Sequence, residues 1–225
     1  MHFYYAGFNT SNLFSKNGDI VVAIDSFKEV PVSGITDFEI GWSYFLLWKE
    51  NKLYFHGKFS NNGRVFNVPT LVEMPKKIKF IDIACGFDHT LLLADNGDVY
   101  SMGMGTRGQL GHHDLEDCDD PRLIEALAGI KVVEISAGGW HSAVITDQGD
   151  LYTWGWNTNG QLGLPDRDSK VLAVPSLIDF KDDRGRTSNY ILGSSSFKRL
   201  DVPFDDPGCI KDYKCHEWGT VLVTD

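Results

Sequence analysis

Residues 69–111 recur at residues 121–163 without insertion or deletion, and at this constant offset of 52 the two stretches are identical at 18 of 43 positions. A period of this length is the mark of an array or a propeller, in which copies of one supersecondary unit bury their apolar faces against one another. The identities include Gly86/Gly138, His89/His141, Asp95/Asp147, Gly97/Gly149, Asp98/Asp150, Tyr100/Tyr152, Gly103/Gly155 and the quartets Gly108-Gln109-Leu110-Gly111 and Gly160-Gln161-Leu162-Gly163.

Within one copy, Ala143-Val144-Ile145-Thr146 runs through Asp147-Gln148-Gly149-Asp150 into Leu151-Tyr152-Thr153-Trp154, and residues 91–102 do the same around Asp95-Asn96-Gly97. β-branched and aromatic residues flanking an Asn-Gly or Gln-Gly pair predict a hairpin, with the pair supplying the positive φ of the turn. Residues 130–135 (IKVVEI) read as a further strand, and the Gly86 and Gly138 that follow the corresponding segments mark close backbone approach. The element Pro121-Arg122-Leu123-Ile124-Glu125 recurs as Pro69-Thr70-Leu71-Val72-Glu73 and as Pro175-Ser176-Leu177-Ile178-Asp179, which implies further units. Three or four short strands per unit of about 50 residues is the arithmetic of a propeller blade, whereas helical repeats of similar period carry apolar spacing near 3.6. No segment shows that spacing convincingly.

Weaker copies extend the pattern. Residues 41–47 and 53–57 match the same hairpin, with Lys49-Glu50-Asn51-Lys52 as its turn, and Ile191-Leu192-Gly193-Ser194 opens a degenerate one. Residues 215–225 align with residues 85–95 at an offset of 130, while residues 3–10 resemble residues 151–158. The termini are therefore expected to share one composite blade, closing the ring, removing exposed sheet edges and making the chain a whole protein. The expected fold is a single all-β domain over residues 1–225, a propeller of four to six blades at about 50 residues each, with residues 180–214 degenerate or loop-rich.

A content of 42% hydrophobic residues is ample for one large core. The start of the chain lacks the basic and apolar regions of a secretory signal, and no stretch approaches the roughly 18 apolar residues of a membrane span. An intracellular, soluble protein of nucleus or cytoplasm is expected. Cys85, Cys118, Cys209 and Cys215 show no metal-type spacing and read as reduced thiols packed as small hydrophobes. The net charge of -10 argues against direct binding to a DNA backbone, which needs clustered Lys and Arg. It is compatible with a basic partner or a basic peptide tail.

Several motifs invite chemical readings. Gly103-Met104-Gly105-Thr106-Arg107-Gly108 matches a dinucleotide fingerprint, but the sister copy replaces the second glycine with Asn157, and the fingerprint needs a following helix. His89 and His141 occupy one repeat position and so read as architectural, together with Gly86, Gly97, Gly103, Gly138, Gly149 and Gly155. The polar run His112-His113-Asp114-Leu115-Glu116-Asp117-Cys118-Asp119-Asp120 holds every kind of metal ligand, yet matches no zinc or calcium spacing. It reads as a solvated inter-strand loop able to steer a basic partner. Trp42, Trp140, Trp154, Trp156 and Trp218 read as packing between blades, with some reaching a rim. Arg107 differs from its counterpart Asn159, and variation at a repeat's loop position is where function is usually grafted. Arg107, Asp114, Glu116, Asp117, Trp156 and Asn159 are the expected partner-binding residues. No catalytic, cofactor-binding or metal site is expected.

The strings SAGGWHSAVITDQGDLYTWGWNTNGQLGLP (residues 136–165) and ACGFDHTLLLADNGDVYSMGMGTRGQLG (residues 84–111) resemble the regulator of chromosome condensation repeat family. The prototype ring of that family has seven blades, more than this length supplies. Within the family, residues 120–165 look most like a small single-domain member that partners a jumonji-type oxygenase acting on histone tails. The resemblance implies a non-enzymatic scaffold for such a histone demethylase or hydroxylase. Two alternatives follow from the family and the fold: nucleotide exchange on a Ran-like GTPase, and substrate recognition within another assembly.

Overall fold

The computed structural model describes residues 39, 41–42, 44–49, 52–57, 71–72, 75, 78–164 and 169–178 with their side chains, and the backbone of further strands. The chain divides into two compact units, Met1–Lys76 and Lys77–Asp225. In the first, β1 (Tyr4–Phe8) pairs with β2 (Ala23–Glu29). There too β3 (Ile35–Ile40), β4 (Tyr44–Lys49), β5 (Lys52–Lys58) and β6 (Val65–Leu71) form an antiparallel meander in chain order.

The second unit opens with a like meander of β7 (Phe80–Cys85), β8 (His89–Ala94), β9 (Val99–Gly103) and β10 (Cys118–Leu123). A 3₁₀ turn at Glu125–Leu127 leads to a third meander of β11 (Val132–Ala137), β12 (His141–Thr146), β13 (Leu151–Trp156) and β14 (Val171–Leu177). Two-stranded pairs follow: β15 (Asn189–Ile191) with β16 (Lys198–Leu200), and β17 (Ile210–His216) with β18 (Gly219–Thr224). The all-β, blade-like architecture is the one the repeat predicts. The composite blade and the degenerate stretch at 180–214 fall on side chains outside the described residues. Among the described residues no helix is long and apolar enough to cross a membrane.

The strand composition explains the layering. β8 and β12 are buried at every position. In β12, Val144 packs into a core shared with Leu91, Leu93, Val99, Ile124, Leu127, Val132, Ile135 and Trp154, while Ala143 and Ile145 face Leu151 and Ile178 on the other side. A strand covered on both faces carries a continuous apolar run rather than an alternating one, which is what Ala143-Val144-Ile145 shows at the centre of β12. The first core spans the sheets of β7–β10 and β11–β14, so neighbouring blades are joined by apolar packing.

The structure refines three local expectations. β11 starts at Val132 rather than at Ile130, because Ile130 N–H closes the preceding turn on Leu127 O and Lys131 O accepts from Asp147 N–H. Cys118-Asp119-Asp120, read as loop, opens β10. In the hairpin of β8 and β9, glycine alone supplies the positive φ (Gly97, +90°), with Gly97 N–H bonded to Ala94 O and Ala94 N–H to Asp98 O. That is a type I turn closed by a left-handed glycine. The strands that come first in their sheets, β3, β7, β11 and β17, each shift register near their start, between Ile35 and Asp37, Phe80 and Asp82, Val132 and Glu134, and Ile210 and Asp212. In β7 and β11 the extra residue is Ile81 or Val133, turned out to solvent.

Gly138 and Gly86 leave room for the ring three residues on, since a Cβ at either would lie 2.3 Å from His141 Cε1 or His89 Cε1. Gly155 is tighter in kind: its φ is +108°, and a Cβ would meet Trp140 O at 2.6 Å. Gly155→Ala is therefore expected to cost about 2–3 kcal/mol. Gly149→Asn, at a φ of +83° with nothing within 4 Å of the added Cβ among the described residues, should cost under about 1 kcal/mol because Asn tolerates that conformation. Paired urea titrations check the contrast, and equal losses would refute it.

Candidate functional site

The turn between β9 and β10 carries Arg107, and its shape is fixed from below. Gly108 (φ +73°) and Gly111 (φ +77°) let the chain fold back, with Gly108 N–H bonded to Gly105 O and Gly111 N–H to Gly108 O. Gln109 is fully buried, and its Oε1 accepts from Arg107 N–H at 2.9 Å. The Gln109 carbonyl in turn accepts from Ser142 Oγ and from Trp154 Nε1, both at 2.8 Å. Since the Ser142 hydroxyl donates to that carbonyl, the His89 Nε2 lying 2.9 Å from it is assigned as the donor, which places the proton of the neutral imidazole on Nε2. Burial first, then the neighbouring His141, lowers the His89 pKa to about 3. A chain of buried polar contacts thus runs from β8 through β12 to the backbone of Arg107. The turn also abuts the next blade: a Cβ on Gly108 would lie 2.9 Å from Ala173 Cα and from Leu172 O in β14.

Above this base, the Arg107 guanidinium lies 4.4 Å from the ring centroid of Trp156 and 4.8 Å from that of Trp140. The two indoles meet at 81° with centroids 5.2 Å apart, so the cation sits in the corner they form. Phe87 extends the aromatic wall, 5.0 Å from Trp140. All four side chains are half-buried. Trp156 N–H bonds to Trp140 O, which holds the two indoles in register. Each cation–π contact contributes about 0.5–2 kcal/mol. The guanidinium makes no ion pair among the described residues, and Trp140 Nε1 is buried there without a hydrogen-bond partner.

Of the expected partner-binding residues, the structure brings Arg107 and Trp156 into contact. Asp117 Oδ1 accepts from Gly105 N–H at 2.9 Å, bracing the Arg107 turn from the acidic loop. Asp114 accepts from Arg122 at 3.0 Å and from Glu116 N–H. Partial burial works against ionisation of Asp114, but the Arg122 and Glu116 hydrogen bonds outweigh it and hold the carboxyl below its usual range. This exposed ion pair contributes at most about 1 kcal/mol. Glu116 is exposed. Asn159 lies apart, exposed on the sister turn, where its N–H bonds to Gln161 Oε1 at 3.0 Å in the same way.

His112 Nε2 contacts Ser101 Oγ at 2.9 Å, and burial, reinforced by Arg122, lowers its pKa to about 4. The thiols hydrogen-bond locally, Cys85 with Thr90 Oγ1 and Cys118 with Asp120 O. Trp154 is buried between blades as expected, but Trp42 is 46% exposed, and Trp140 and Trp156 are half-buried beside Arg107. Trp218 lies outside the described residues. The sequence reading missed Phe87, Gln109 and the place of Trp140 beside Arg107. The signal was available, because Phe87-Asp88 is replaced by Gly139-Trp140 in the sister copy, a departure of the same kind as Arg107 for Asn159.

The regulator of chromosome condensation (RCC1) repeat matches residues 96–145 and 148–203, and a second form of the same repeat matches residues 80–109 and 132–161. The match thus runs into residues 180–203, where internal identity fades. RCC1 domain-containing protein 1 of Homo sapiens is 53% identical over 99 residues, which are 44% of this chain and 26% of that protein. The chain accordingly spans about a quarter of that relative's length. Human WBSCR16 superposes with a TM-score of 0.69 at 16% identity, covering 99% of this chain and 81% of that one. Prp20p of Saccharomyces cerevisiae, whose binding to Gsp1p and histones has been characterised, gives 0.66 at 18% identity over 89% of this chain and 47% of its own. With the blades, the hairpin glycines and the Gly-Gln-Leu-Gly turns all matching, this chain belongs to the RCC1 repeat family.

Proposed function

We propose that this chain is a non-catalytic interaction module whose blades hold rim loops against a protein partner. The observation that carries this reading is the Arg107, Trp140, Trp156 and Phe87 cluster: a turn common to both repeats bears Arg107 in place of the sister copy's Asn159, and three aromatic side chains from neighbouring strands and loops gather around it. Trp and Arg are the residues most often found to anchor partners. The partner proposed is a jumonji-type histone lysine demethylase or hydroxylase, in nucleus or cytoplasm, as implied by the likeness of residues 120–165 to a small single-domain family member. In that arrangement the oxygenase supplies the chemistry, and chromatin is reached through it or through basic histone tails. Tagged protein in nuclear extract is expected to enrich such an oxygenase by quantitative mass spectrometry, with at least about tenfold loss for Arg107→Asn. An extract in which the wild type never enriches one would overturn the partner assignment.

A second reading, nucleotide exchange on a Ran-like GTPase, is favoured by the likeness of fold to Prp20p. It predicts accelerated release of a fluorescent guanine nucleotide from the GTPase on addition of this protein, and acceleration would place it first.

A further inference from the structure

We infer that the Arg107 corner is a receptor for a single carboxylate of the partner, borne on a segment with apolar residues beside the acid. This rests on the interaction-module reading and names the chemistry of its contact. The cluster is rich in donors and poor in acceptors. A guanidinium presents five N–H groups in a planar fork, and aromatic faces satisfy its charge but offer no oxygen to those N–H groups. Arg107 has no ion pair among the described residues; in the acidic loop, Asp117 Oδ1 accepts from Gly105 N–H and Asp114 pairs with Arg122.

The occupant's charge follows from what the corner already holds. Two indoles around a cation are the arrangement that recognises ammonium groups, but here the chain's own Arg107 fills it, so a second cation such as a methylated lysine is disfavoured. An anion remains. One guanidinium neutralises one charge, and the fork matches the two oxygens of a carboxylate. A dianionic phosphate in a chain of net charge -10 would need further cations. The walls supply the apolar part: Val171, the cross-strand partner of Trp156, is exposed beside the half-buried rings of Trp156, Trp140 and Phe87. Aromatic surroundings also exclude water from the ion pair, which strengthens it.

The geometry is preorganised. Gln109 clamps the Arg107 backbone, and Ser142 and Trp154 clamp Gln109, so the turn is not ordered at the partner's expense. Gln109 is thus a positioning residue.

The full chain is screened against acetylated, amidated nonapeptides with a fixed central Glu and randomised flanks, against the same library with central Gln, and against a library with a free C-terminal carboxylate and no internal acid. Hits are titrated by indole fluorescence. The wild type is expected to prefer Glu-centred over Gln-centred peptides by roughly tenfold or more, with apolar residues enriched beside the acid. Preference for the free-terminus library also supports the receptor and identifies a chain end as the source. Arg107→Asn should abolish the preference, and Arg107→Lys, which keeps the charge without the fork, should recover only part of it. Because Asn159 occupies the sister turn with the same glutamine contact, Arg107→Asn is compatible with the fold, and an unchanged melting curve verifies this. Equal capture of Glu and Gln peptides, selection of basic peptides, or a Glu preference that survives Arg107→Asn would each overturn the inference. Those results leave oxygenase capture by the wild type untouched, whereas failure of that capture strikes the parent reading.

Discussion

Lowering the pH from 7.5 to 5.0 at 0.15 M salt is expected to remove roughly 2–4 kcal/mol of folding stability, mainly through His89 and His141. Burial, and then the proximity of His141, lowers the His89 pKa to about 3, and burial lowers that of His141 to about 4. In the unfolded chain both titrate near 6.5. Between pH 6.5 and about 4 the unfolded state therefore binds protons that the folded state refuses, so stability is complete above 6.5 and falls as the pH drops through this window. The slope is about 1 kcal/mol per pH unit for each histidine, and His112, lowered to about 4, adds to it. Acidification also relieves self-repulsion among the chain's net -10 charges, but those charges lie largely at the surface and are screened within about 8 Å at this ionic strength. Urea titrations at half-unit pH steps give the profile, and a stability that stays level from pH 7 to 5 would refute the assignment of neutral, buried imidazoles.

Trp154→Ala is expected to cost about 3–5 kcal/mol. The side chain is fully buried in the core shared by two blades, and its indole N–H donates to Gln109 O at 2.8 Å. Truncation leaves a cavity that a β-sheet core closes poorly, and it weakens the turn that carries Arg107. Trp154→Phe keeps most of the ring and loses the hydrogen bond, but Ser142 still bonds that carbonyl, so about 1–2 kcal/mol is expected. Trp154→Met installs the residue of the sister blade, Met102, which is itself buried, and should fall between them. Denaturation midpoints and slopes for the three variants test the order. An alanine variant no less stable than the phenylalanine variant would show that Trp154 does not join the blades.

Some of this was legible in the sequence because it is local. The hairpins of β8–β9 and β12–β13 announce themselves through apolar runs ending on Asp-x-Gly-Asp, since a left-handed turn position selects glycine whatever surrounds it. The fourth strand of each blade was marked by its proline, which edge strands tolerate. Arg107 was legible as a departure from the repeat. The register shifts at Ile81 and Val133 were not, because a bulge depends on how two strands pair rather than on either alone. Sequence marked Trp140 as a departure from the repeat, but not where it would lie relative to Trp154. Both are tryptophans in one repeat, yet one lies under Gln109 and the other beside Arg107, 33 residues further along the chain.

By itself, then, the sequence determined the unit: a repeated set of three or four short strands built on a hairpin, with glycines where φ is positive and apolar runs where both faces are covered. Those features follow from backbone sterics and from burial, which act within a few residues. Only the tertiary structure decided what the units do together. Packing one blade against the next places Arg107 of one turn in the corner between Trp140 and Trp156 of another sheet, and spends His89, Ser142 and Gln109 on holding it there. Contacts between residues so far apart in the chain depend on the angle and distance between packed sheets, which no local pattern encodes.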